Sequence, residues 1–341
     1  MRGIAAIAVA CFHASQLLVG DAFFHGTPAL AVDFFFCLSG FVVAYAYGSR
    51  LEAGLSLRDF AIRRVIRLYP MVLLGAALGA LVLAMGALRR EGIGAAFVTE
   101  SAGAFLLLPT GLLFQAQAYP TNNPIWSLFF EAVANAVYAA ARTCGLALLF
   151  VGTAAAALAL VLVSYRFDGL GDVGFKDGPS FLAGFVRVCY PFLAGILIHR
   201  LGLYRALPRI PVAVGLLALV AALSFEIQPV WIAQAMLAIL AFPAIVVLGA
   251  NARAGRSHGV MVWLGQISYP LYLIHQPLLR IVKNLPALAG PVAAHPVAAI
   301  IVSVAGCCAV STLVFHAYDV KVRNWAASAL RRRRGRRVQP A

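Results

Sequence analysis

Arg2 and His13 bracket an otherwise apolar run, RGIAAIAVACFH, eleven residues apart. That spacing is close to three helical turns, so on a helix both side chains project from one face, about 16 Å apart along the axis. An imidazole inside an apolar segment is costly unless it meets a cavity or a partner, which makes His13 a candidate for chemistry. A plain hydrogen bond to a neighbouring helix is the competing reading. In an apolar setting the neutral ring is favoured, and it keeps a lone pair to accept a proton, as a general base must.

A second set of chemical residues lies in FAIRRVIRLYP, which puts Arg63, Arg64 and Arg67 just before Pro70, a proline that suits the start of a helix. Arg64 and Arg67, three residues apart, share a helix face, and two guanidinium forks on one face suit a phosphate or pyrophosphate. The competing reading is topological, because arginines beside a span often only mark its inner end. Together the two sets define a geometry in which phosphates stay at the arginines while a long flexible arm carries a reactive group toward His13. Coenzyme A has that shape. Among single residues, Glu131 lies one and a half turns beyond Trp126 and Ser127, where it can orient His13 or an acceptor hydroxyl. Asp33 suits a sugar contact or a helix cap, and Ser39 beside Gly40 suits close helix packing better than nucleophilic attack. Ser268, Tyr272 and His275 share one helical face, as tunnel lining or as packing. His25, His199, His258, His295 and His316 fall near expected span ends and read as interfacial residues.

The elements that must position these residues are membrane helices. Hydrophobic residues make up 62% of the 341-residue chain and charged residues 11%, with a mean hydropathy of +0.90; soluble domains carry about 25% charge. Spans are expected near 3–20, 28–48, 70–88, 126–142, 146–164, 181–199, 211–225, 230–250, 260–281 and 293–315. An eleventh apolar stretch, 97–117, contains Glu100, Pro109, Gln115 and Gln117 and suits a re-entrant or interfacial segment. With ten spans, Arg2, Arg50, Arg58, Arg63, Arg64, Arg67, Arg142, Arg200, Arg205, Arg209, Arg253, Arg256 and the basic tail share one side, as the positive-inside rule requires; with eleven the bias is lost. The expected fold is therefore all-α, a polytopic membrane bundle of about ten helices with both termini cytoplasmic. The acidic loop 167–178 then lies outside. Residues 1–320 form the integral domain and 321–341 a basic cytoplasmic tail.

The net charge of +15 sits in short inter-span segments and in the tail RRRRGRR, which points to topology and anionic lipid rather than nucleic acid. Six cysteines without C-x-x-C spacing indicate neither a disulfide framework nor a zinc site, and no metal constellation is present. Cleavage of residues 1–20 as a signal peptide is not expected, because no small-x-small site follows them.

These residues carry a family resemblance. RGIAAIAVACFH, the second-helix segment VDFFFCLSGFVVAY, Arg64-Val-Ile-Arg67, WSLFFEAVANAVY and GQISYPLYLIHQPLL occur in order along the chain and resemble the integral-membrane acyltransferase-3 family, which acylates sugars of surface polysaccharides and related acceptors. The resemblance implies that His13 is catalytic with Arg2 as its first-helix partner, and that Arg64 and Arg67 contact an acyl-CoA donor. On the reading of the residues themselves, Glu131 is expected to support His13, Arg63 to stand beside the donor arginines, and Asp33, Trp126, Ser127 and His275 to bind the acceptor. The implied function is transfer of an acyl group, most simply acetyl, to a hydroxyl of a cell-surface or lipid-linked carbohydrate at a bacterial inner membrane. No metal is implied. A transporter or flippase, with His13 and Glu131 as a proton-coupled pair, is the alternative.

Overall fold

The computed structural model describes residues 1–20, 27–90, 94–114, 116–206 and 208–338; His25 and Gln115 lie outside them. Helices dominate the described residues, and the β structure among them is an isolated bridge between Pro211 and Arg253. In chain order the α-helices are α1 Arg2–Ala14, α2 Ala31–Glu52, α3 Leu57–Arg90, α4 Ala95–Leu106, α5 Ile125–Ala140, α6 Leu146–Arg166 and α7 Gly178–Arg200. They continue with α8 Val212–Ser224, α9 Val230–Met236, α10 Phe242–Ala250, α11 His258–Lys283, α12 Pro286–Ala294, α13 Pro296–Val314 and α14 Val320–Val338. Seven helical segments are long and apolar enough to cross a membrane: Arg2–Val19, Pro28–Glu52, Leu57–Gly86, Leu146–Arg166, Gly178–Arg200, Val230–Ala250 and Pro296–Arg332. The other three expected spans fall on α5, α8 and α11. The chain is an all-α polytopic membrane bundle.

α4 has 12 residues, about 18 Å of rise against a hydrocarbon layer of about 30 Å. It ends at Leu107, whose left-handed backbone (φ 57, ψ 33) turns the chain back, and a 3₁₀ turn at Thr110–Phe114 follows. The expected re-entrant segment therefore folds as a short helix and a return.

One expectation about boundaries is corrected. Pro70 does not start a helix: α3 begins at Leu57 and passes through it. Proline inside a membrane helix is tolerated when neighbours satisfy the backbone around it, and here the Tyr269 hydroxyl donates to Leu68 O at 2.8 Å while the Tyr318 hydroxyl donates to Pro70 O at 3.0 Å. At the other end, α13 continues through a π-helical turn, Phe315–Asp319, into α14, which carries the first part of the basic segment 321–341.

Packing around the site rests on close backbone approach. Gly40 on α2 faces the carbonyl of Phe192 on α7, and Gly195 on α7 faces the carbonyl of Cys37 on α2, each with no room for a Cβ. Small residues at such crossings let helices pack where hydrophobic exclusion supplies no drive. Further round the bundle, Gly3 of α1 lies against the backbone of Leu264 on α11. Gly195→Leu should therefore lower the midpoint of thermal inactivation in detergent, at a cost of at least about 1–3 kcal/mol. Gly152→Ala, where a Cβ meets open space, should not, and equal midpoints would refute this account of the α2–α7 contact.

Candidate functional site

The Arg2–His13 face of α1 packs along α11, and the contact carries a bonded histidine pair. His13 Nδ1 lies 2.8 Å from His275 Nε2, with the rings stacked at 5.1 Å. His275 Nδ1 lies 2.9 Å from the carbonyl of Leu271. A carbonyl only accepts, so His275 Nδ1 carries the hydrogen, and with both rings neutral its Nε2 must accept from His13 Nδ1–H. The remaining nitrogen, His13 Nε2, is then the unprotonated one. His275 is fully buried, whereas His13 is half-buried. Both ring nitrogens of His275 are engaged, one by His13 and one by the Leu271 carbonyl.

At the Arg2 end of α1, the second set of residues surrounds a cavity of about 110 Å³ lined by Arg2, Arg64, Arg67, Glu131, Ser127 and Tyr272, among others. Arg64 Nη2 donates to Glu131 Oε1 at 2.8 Å, and Ser39 Oγ donates to the same oxygen at 2.7 Å. Glu131 thus positions an arginine, and His13 takes its orientation from His275. The Arg2 guanidinium stands over the Tyr269 ring at 5.9 Å. Arg64 and Arg67 both line the cavity, as their shared helix face predicts; Arg63, one residue round the helix, is exposed and does not line it. Toward the histidines the cavity is bounded by Phe35 and Tyr272, whose rings meet edge to face at 5.6 Å. The Tyr272 ring is 6.1 Å from that of His275, and its hydroxyl is 2.8 Å from Ser127 Oγ. The histidine pair therefore lies beyond this ring partition.

Asp33 and Trp126 belong to a different arrangement. The Asp33 carboxylate is fully buried against Arg187, which donates from Nε to Oδ1 at 3.0 Å and from Nη2 to Oδ2 at 2.7 Å. Arg187 Nη1 donates to the carbonyls of Leu170 and Val173 at 2.6 and 2.7 Å, and its guanidinium lies 5.2 Å from the Trp126 ring. Asp33 lies in the first turn of α2, where no side-chain cap bond forms, and its carboxylate is taken up by Arg187. Arg187 escaped the sequence reading, although a lone arginine inside FLAGFVRVCYP signals a buried partner by itself. The Thr121–Asn123 loop was also missed: Asn122 Nδ2 donates to the carbonyls of Gly75 and Leu273, and the Asn123 backbone N–H donates to Gln276 Oε1 at 2.7 Å, next to His275. Its signal was a polar run between prolines in an apolar chain. Among the described residues no three His, Cys, Asp or Glu side chains converge as metal ligands would.

Comparison with known proteins identifies the family. The family model described as "Acyltransferase domain" matches residues 1–315. "Protein 2 in picA locus" of Rhizobium radiobacter is 38% identical over 161 residues, 41% of this chain and 78% of that protein. No solved structure matches.

The Asp33–Arg187 pair supplies a test of structural against substrate roles. Arg187→Met leaves a buried carboxylate unpaired and should destabilise the protein by about 3–5 kcal/mol. The double variant Asp33→Leu/Arg187→Met should recover most of that loss, read as thermal inactivation in detergent. Loss of acyl transfer in a double variant of wild-type stability would return Asp33 to the substrate.

Proposed function

Because the chain belongs to the acyltransferase-3 family, and is an integral membrane acyltransferase, we propose that it moves an acyl group, acetyl in the simplest case, from cytoplasmic acyl-CoA to a hydroxyl of a cell-surface or lipid-linked carbohydrate. The observation that carries this reading is the His13–His275 bond, which leaves His13 Nε2 as a fixed proton acceptor in the membrane interior. In the reaction, His13 Nε2 takes the acceptor hydroxyl proton as that oxygen attacks the thioester carbonyl carbon. The tetrahedral intermediate then collapses with breakage of the C–S bond, and the departing sulfur takes the proton from His13. General-base assistance of this kind contributes about 10²–10⁴-fold, and holding both substrates in one orientation contributes more.

Arg2, Arg64 and Arg67 hold the donor phosphates at the end of the bundle that the basic residues assign to the cytoplasm of a bacterial inner membrane. The arm rises about 16 Å along α1 and displaces the Phe35–Tyr272 rings to reach His13. The acceptor approaches from the opposite end, where the Arg187 contacts pin the loop before α7 and the Thr121–Asn123 loop abuts α11. A proton-coupled transporter would pair His13 with Glu131; in this arrangement each has a different partner.

The test uses protein in nanodiscs with labelled acetyl-CoA and glycans extracted from cells that lack the protein. His13→Ala should lower ester formation by about 10²-fold or more; intact transfer in that variant would overturn the mechanism. His275→Ala should lower kcat with the donor KM nearly unchanged, and His275→Gln, whose side-chain carbonyl can take the His13 Nδ1–H bond, should restore part of it. Arg67→Gln should raise the donor KM, and an unchanged value would return that arginine to a topological role.

A further inference from the structure

The π-helical turn Phe315–Asp319 and the start of α14 carry Asp319 and Arg323 to the Arg2 end of the bundle, beyond the 1–315 region that the family model matches. There they help to line a second cavity, of about 280 Å³, together with Arg2, Arg67, Gln266 and Tyr269. Arg2, Arg67 and Tyr269 also line the first cavity, so the two spaces meet across shared side chains. The Tyr318 hydroxyl bond to Pro70 O holds the turn against α3, three residues beyond Arg67.

The chemistry of the second cavity is mixed in a specific way. Arg2, Arg67 and Arg323 set three cations around it, while Asp319 is 98% buried (relative exposure 2%) and uses only one of its oxygens, Oδ2, in a 2.7 Å pair with Arg323 Nη2. Asp319 Oδ1 is buried with no hydrogen-bond partner among the described residues. A buried carboxylate oxygen without a donor is costly. A simple anion would leave it so and would meet its charge as well. A ligand that combines phosphates with hydroxyl or amine donors satisfies the arginines and Asp319 together, and a ribonucleotide has that combination.

We infer that this second cavity seats the phosphorylated nucleotide end of the acyl donor, with Arg323 and Arg67 on its phosphates and Asp319 accepting from a ribose hydroxyl or the base amine. The inference rests on the acyl-CoA reading above and adds Asp319 and Arg323 to it as donor-selecting residues. It also divides the labour between the cavities: the ribose and base stay in the larger, the phosphates run along Arg2 and Arg67, which both spaces share, to Arg64, and the arm continues through the smaller toward His13.

Initial rates of transfer from acetyl-CoA and from S-acetyl-phosphopantetheine, which lacks the nucleotide, provide the test with the full chain in nanodiscs. Wild-type protein should show a KM for acetyl-CoA at least about tenfold lower than for the truncated donor. Arg323→Gln should remove most of that preference by raising the acetyl-CoA KM, with the truncated donor affected less than about twofold and kcat retained. Asp319→Ala should weaken inhibition by adenosine 3′,5′-bisphosphate while leaving or strengthening inhibition by pyrophosphate. Equal KM values for the two donors in the wild type, parallel changes for both donors in Arg323→Gln, or loss of both activities in that variant would overturn the nucleotide seat. Wild-type protein inert toward both thioesters would instead overturn the acyl-CoA reading on which it rests.

Discussion

Arg187 shows the constraint under which the whole chain is built. In a hydrocarbon layer no water completes an unmet hydrogen bond, so each polar group must find its partner within the protein. Arg187, at zero exposure, directs N–H groups to both oxygens of Asp33 and to two loop carbonyls, with its flat face toward Trp126. One side chain thereby joins α2, α7, the loop that precedes α7 and the start of α5. A buried ion pair of this kind adds little net stability over apolar packing. Its effect is on register: the pair ties α2 to α7 in the same alignment that sets Gly40 and Gly195 at the backbone crossings.

Seen from the other side, the same constraint marks where a ligand belongs. Among the described residues, buried polar atoms without partners include Arg64 Nε and Asp319 Oδ1 at the arginine end, and Thr121 Oγ1, Asn122 Oδ1 and Asn123 Oδ1 on the loop beside α11. The first group lies at the arginine end, and the second meets α11 at Leu273 and Gln276, level with His275. The arginine-end atoms suit an anion with hydrogen-bond donors, and the loop atoms suit hydroxyl groups; the fully partnered Asp33 and Arg187 suit neither.

What the sequence revealed follows the range of the forces involved. The Arg2–His13 and Arg64–Arg67 spacings were legible because helical periodicity is local. The ten spans were legible because hydropathy is additive along the chain. Partners were not. His275 stands 262 residues from His13 and Arg187 stands 154 from Asp33, so nothing local reveals that one histidine is bonded to another, or distinguishes an ion-paired carboxylate from a cap. Glu131 was read as orienting His13 or an acceptor hydroxyl, and its carboxylate bonds Arg64 and Ser39 instead. Pro70 misled because the rule that proline opens helices assumes an exposed backbone, and two tyrosine hydroxyls far along the chain supply bonds around it.

Contact register also fixes the parity of the crossings without appeal to charge. Gly3 meets Leu264 and His13 meets His275, so α1 and α11 advance by ten and eleven residues between the same two levels and run parallel. Parallel helices must be separated by an odd number of crossings. Counting α2, α3, α5, α6, α7, α8 and the continuous α9–α10 segment as spans meets this condition, and adding α4 breaks it. Asp319 and Arg323 line a cavity with Arg2, which puts the exit of the last span beside the start of the first, again requiring an even total. The short α4 and the even count are thus two views of one geometry, in which the arginines from the chain's beginning and end converge about three helical turns from the His13–His275 pair.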